Sequence, residues 1–168
     1  MGETLDVIAT LLTAVVLVTC AAHALERPGK ARLGREEYRV VQQIYYPGFT
    51  LAGAVSEIPS IIVTAVAVIV AGVAGDSREV VLGAVALLAL VGVHVAYWLI
   101  VHPVNRFWVH DVDVDQMSSR FFGSIRRAGR DQTQAASWTQ LRDRWESGHL
   151  IRTVLASIAL LALVISLA

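Results

Sequence analysis

Apolar residues fall in four long blocks, at about 5–25, 49–73, 80–104 and 150–168, with polar stretches between them. A helix that crosses a bilayer needs roughly 20 mostly apolar residues. A backbone in hydrocarbon must satisfy its own hydrogen bonds, so each block predicts a helix. Gly75-Asp76-Ser77 is a tight turn between the second and third blocks. The pattern predicts an all-α protein: an integral membrane antiparallel four-helix bundle, one domain over 1–168, with no internal repeat. The first block lacks a basic leader, since the chain opens Met1-Gly2-Glu3-Thr4-Leu5-Asp6. Thr19 before Cys20 also makes a poor lipoprotein cleavage site, so the block is read as a retained helix.

The two long polar stretches, 26–48 and 105–149, carry helical spacing of their own. Tyr38, Val41 and Tyr45 predict a helix over 33–46 that lies on the membrane surface and turns at Pro47-Gly48. Trp138, Leu141 and Trp145 share one stripe, so the fourth helix should begin there. Met117, Phe121 and Ile125 beside Arg120, Arg126 and Arg127 read as a basic interfacial helix.

Charge sets the orientation. Of the 14 basic residues, 13 fall in or beside the two long stretches, and only Arg78 lies elsewhere. The positive-inside rule puts those stretches, with their interfacial helices, in the cytoplasm and both termini outside. Composition then narrows the function. Apolar residues are 55% and charged residues 17%, with no net charge. These values argue against a disordered chain, a soluble enzyme domain and any nucleic-acid partner. One cysteine excludes an intramolecular disulfide framework. No phosphate loop or dinucleotide fingerprint is present. The run Asp111-Val112-Asp113-Val114-Asp115 lacks the glycine and distal glutamate of a calcium loop.

Every aromatic residue, Trp98, Trp108 and Tyr97 among them, falls in the same half of the molecule or its loops. The histidines and intramembrane carboxylates gather there too. His23 and Glu26 close the first helix, and Glu146 and His149 open the fourth, each pair on one helix face. The pairs match in depth and mirror each other in direction. Facing Glu-x-x-His pairs are how bundles build carboxylate metal sites. The donor set suits iron, copper, manganese or zinc. A metal-free network with Arg142 and Arg152 is the alternative. Glu57, beside Pro59, and His94 both fall roughly 12–15 Å inside the boundary at about 1.5 Å per residue, so they can face each other. Such groups in a membrane are paired or line a polar cavity. His102 and Asn105 share one face at the end of the third helix. Gln42, Tyr46, Trp98 and Trp145 complete the candidate cavity wall.

Three stretches carry a resemblance: His23-Ala24-Leu25-Glu26-Arg27-Pro28-Gly29-Lys30, Pro103-Val104-Asn105, and Trp138 through His149, with Tyr38, Gln42, Gln43 and Tyr46. With these the chain resembles small four-helix membrane proteins, many of them bacterial, grouped with the anthrone oxygenases. The segment 106–136 is longer than that resemblance leads one to expect. The resemblance implies an integral protein of the bacterial plasma membrane. Fungal relatives oxygenate polycyclic anthrones to anthraquinones. Two functions follow. One is a membrane-embedded oxidoreductase for an apolar or aromatic substrate. There His23, Glu26, Glu146 and His149 are catalytic or hold a divalent transition metal. Glu57, His94 and His102 line the cavity or move protons, and Asn105 and Arg142 orient ligands. The other is a non-catalytic membrane subunit whose polar cluster fixes helix packing. In either case the lipid bilayer is a partner, and 106–136 is a candidate contact for another membrane protein.

Overall fold

The computed structural model describes residues 2–109 and 137–168. The Met117/Phe121/Ile125 stripe, the aspartate run at 111–115 and His110 lie outside the described residues. So does the candidate partner segment, apart from the helical backbone of 106–109. Helix α1 spans Gly2–Lys30 and α2 spans Arg35–Ala74. Helix α3 spans Ser77–Ala96 and runs through a π-turn, Tyr97–Val101, into α4, His102–Val109. Helix α5 spans Trp138–Leu167. Four rods result, each long and apolar enough to cross a membrane. The protein is an integral membrane four-helix bundle.

Each rod packs on its chain neighbour, and α5 closes the ring by packing on both α3 and α1. That leaves α2 and α5 facing each other across the interior. The termini and the Gly75 turn share one end, called here the terminal end; the other is the loop end. Gly75 takes φ +80°, the left-handed conformation that glycine adopts without a Cβ penalty. Asp76 then caps α3 by accepting from the Glu79 N–H at 3.0 Å. Ser137 caps α5, accepting from the Gln140 N–H at 3.3 Å while Gln140 accepts from the Ser137 N–H at 3.1 Å.

Packing changes along the bundle. At the terminal end the core is small: Ala9, Ala86, Ala89, Ala159 and Ala162 around Leu90 and Leu163. Small residues let backbones approach closely where lipid offers no hydrophobic driving force. Gly83 is the tightest example, since a Cβ there would meet Val68 Cγ2 at 2.6 Å. Val16, Cys20, Val93 and Ala156 fill the middle. At the loop end Tyr38, Val101, Val104, Leu141 and Trp145 take over, so the interior widens around large rings.

Two elements differ from the sequence expectation. The surface helix over 33–46 is the first part of α2, which runs unbroken through Pro47 and Pro59. The stretch 26–48 is therefore mostly helix, with a turn only at 31–34. A proline removes one hydrogen bond but need not end a helix whose neighbours hold it. The second difference is the π-turn. Pro103 has no N–H for the Leu99 carbonyl four residues earlier, and the helix widens just before it. Arg144 of α5 donates to that same carbonyl at 2.8 Å. Gly148 lets α5 approach, because a Cβ there would meet Val101 Cγ2 at 2.7 Å and Ile100 Cγ2 at 3.0 Å.

Candidate functional site

The loop-end half encloses a cavity of about 320 Å³. Ten of the residues anticipated from sequence line it: His23, Gln42, Tyr46, Glu57, His94, Trp98, Asn105, Trp145, His149 and Arg152. Thr19, Tyr45, Phe49, Thr50, Gly53, Ala54, Ile58, Tyr97 and Val101 complete the wall. Glu26, Glu146, His102 and Arg142 are absent from it.

One side of the cavity carries a hydrogen-bonded chain. Arg152 of α5 donates to Glu57 Oε2 at 2.5 Å across the bundle. Glu57 Oε1 lies 2.9 Å from His94 Nδ1. The Trp98 indole N–H reaches His94 Nε2 at 2.9 Å. An indole N–H can only donate, so Nε2 is the acceptor. The Nδ1 proton of a neutral ring therefore points to Glu57. This is a carboxylate-oriented imidazole, with its other nitrogen held by Trp98. The Tyr97 ring lies 5.2 Å from the Arg152 guanidinium. His102 lies behind Trp98, ring centroids 4.4 Å apart, and its Nδ1 is 3.3 Å from the Tyr97 hydroxyl.

The opposite side is built from two imidazoles. His23 and His149 have ring centroids 4.2 Å apart, as their matched depth on the first and last helices predicts. Phe49 and Trp145 pack on them at 4.4 Å and 4.2 Å. Both histidines are at least 95% buried. Among the described residues, neither ring nitrogen of His149 has a hydrogen-bond partner, nor does Nδ1 of His23. A buried polar atom left unpaired costs about 1–3 kcal/mol. Both side chains line the cavity.

The carboxylates of the expected quartet are engaged elsewhere. Helix α1 runs to Lys30 and carries its ammonium into the bundle, where the side chain is 4% exposed. Lys30 Nζ lies 3.1 Å from Glu146 and 3.7 Å from Glu26. The Tyr38 hydroxyl donates to Glu146 Oε1 at 2.6 Å. The Trp145 ring covers the ammonium at 5.0 Å. Among the described residues, no three His, Cys, Asp or Glu side chains converge as a metal-binding group. The cation that Glu26 and Glu146 neutralise is Lys30. Arg142 faces outward instead, to Asp143 at 2.9 Å and over the Trp138 ring at 5.1 Å.

Sequence reasoning missed Lys30, and its signal was present. Lys30 is seven residues after His23 and four after Glu26, so a helix continuing past Pro28 places all three on one face. Phe49 and Tyr97 were counted only as interfacial aromatics.

The sequence pattern of the anthrone oxygenase family matches residues 48–162. No curated protein and no solved structure matches the chain.

Proposed function

Because the chain belongs to the anthrone oxygenase family, we propose that it is a membrane-embedded oxygenase for an apolar aromatic substrate, with His94 as its general base. The carrying observation is the Glu57–His94 pair in the wall of a cavity whose far side offers unpartnered imidazoles. Glu57 fixes the ring and stabilises the imidazolium that forms when Nε2 takes a proton. The substrate's ring-flanked methylene supplies that proton. The carbanion left behind reduces dioxygen, and the proton returned from His94 gives a hydroperoxide. Loss of water leaves a carbonyl, so one methylene and one O₂ give one carbonyl and one water. His23 and His149 bind the substrate's hydroxyl or carbonyl end, and Phe49, Trp145 and Tyr97 sandwich its rings. No step runs through a metal, since the carboxylates that would complete a donor set face Lys30.

The packing role weighed beside catalysis suits the Lys30–Glu26–Glu146–Tyr38 cluster, whose members do not line the cavity and of which Lys30, Glu146 and Tyr38 are buried. The polar residues thus divide between a packing cluster and a reaction chamber. The test is turnover of anthrone under dioxygen in nanodiscs, read as anthraquinone absorbance. His94→Gln should lower kcat/KM by roughly 10²–10⁴-fold, the usual worth of a general base. The melting temperature should hold, since His94 is only partly buried. Wild-type rates in that variant would refute the base. A wild type that makes no quinone from any anthrone offered would refute the oxygenase reading.

A further inference from the structure

We propose that the cavity opens sideways into the bilayer between α2 and α3, and that Trp98 is its door. Among the described residues, the other directions are more closely packed. Toward the loop end, Trp145 donates to Asn105 Oδ1 at 2.7 Å and Tyr46 donates to the Asn105 carbonyl at 3.3 Å. Toward the terminal end, Val16, Cys20, Val93 and Ala156 are at most 1% exposed and pack together. On the α5 side, Gly148 seats that helix directly on the π-turn, and Gly92 lies against Leu155. On the α1 side, the His23 and Phe49 rings are in contact.

Between α2 and α3 the wall is different. Ala54 and Ile58 of α2 and Trp98 of the π-turn line the cavity and are also exposed on the outer surface, Ile58 by 43% and Trp98 by 40%. Gly53 lines it as well, and a Cβ there would meet nothing within 4 Å. These positions lie inside the apolar spans, so the surface they reach is lipid rather than water. Close packing of α2 on α3 occurs at the terminal end, at Gly83 and Gly72. In the other half the helices face each other across the cavity, bridged by His94 and Glu57.

Trp98 links this mouth to the chemistry. Its indole lines the opening and its N–H holds Nε2 of His94. A ligand arriving from lipid must turn the indole aside, and that movement uncovers the base. Access and activation are then one event. Apolar ligands partition into the bilayer, so this mouth faces the phase in which they are concentrated. The idea rests on the cavity being the substrate site, but not on oxygenation taking place there.

Photolabelling with a small aryl diazirine dissolved in proteoliposome membranes separates the two. It needs no turnover. In wild-type protein, the carbene should label the His23 and His149 side chains, assigned residue by residue within their peptides, as well as lipid-facing Leu88. Gly53→Leu should cut labelling of the two histidine side chains several-fold while Leu88 stays constant, and Trp98→Ala should raise it. Thermal melts check folding, and Ala54→Leu serves if Gly53→Leu melts early. Histidine labelling that neither Gly53→Leu nor Ala54→Leu reduces, or that falls in Trp98→Ala, overturns the proposal. So does a wild type labelled at Leu88 alone.

Discussion

Lys30 and His94 are both polar groups in an apolar bundle, yet their surroundings assign them opposite work. Lys30 is enclosed by two carboxylates and two aromatic rings, and does not itself line the cavity. Lys30→Met should leave Glu146 buried without its cation, at a cost of about 3–5 kcal/mol. Catalytic turnover per folded molecule should hold. His94→Gln should do the reverse. Melting curves and rates measured on both variants check the division. This is also where the sequence was hardest to read. The depths of His23, His149, Glu57 and His94 follow from counting along apolar spans, and the contacts formed as counted. The fate of Glu26 and Glu146 depended on a lysine one turn beyond the expected helix end. A basic residue near a membrane boundary reads as an orientation signal, and nothing local in the sequence says that it turns inward.

At the scale of the element, apolar blocks give four helices reliably because block length is a one-dimensional property. Proline is read less well. Pro47 reads as a turn, but α2 passes straight through it. Pro103 does not end its helix either; it widens the turn before it and frees a carbonyl. Arg144, counted from sequence only as a loop charge, supplies the missing donor from another helix. Such repairs are tertiary, so no helix-by-helix reading finds them. Arg144→Ala should therefore destabilise the protein by about 0.5–1.5 kcal/mol, the net worth of one hydrogen bond. Adding Pro103→Ala restores an N–H at position 103 and should recover much of that loss. A double-mutant cycle by thermal unfolding measures the coupling, and additive effects would show that Arg144 is not the substitute donor. The π-turn also sets Trp98 and His102 in contact, so Pro103→Ala alone should alter turnover more than stability.

For the molecule as a whole, the basic bias predicts an orientation that the fold does not reveal. With the termini outside, a cysteine at position 77 should react with an impermeant thiol reagent on intact cells, while one at position 128 should react only after lysis. The ring order has a consequence in time. The ribosome releases α1, α2 and α3 first. Through that interval the Lys30 ammonium and the Glu57 carboxylate are already synthesised, but Glu146 and Arg152 are not. The Asn105 side chain likewise waits for Trp145, and the Leu99 carbonyl for Arg144. Among the described residues, α5 brings a partner to each of these groups, and for Lys30 and Glu57 one nearer than the Glu26 and His94 they already have. The last helix is thus a latch, and the three helices made before it are an unfinished membrane protein whose interior charges are only partly paired. A chain stopped at residue 136 should be degraded quickly in cells, as pulse-chase would show. Co-expressing 137–168 as a separate peptide should rescue it, and rescue should fail when that peptide carries Glu146→Ala and Arg152→Ala.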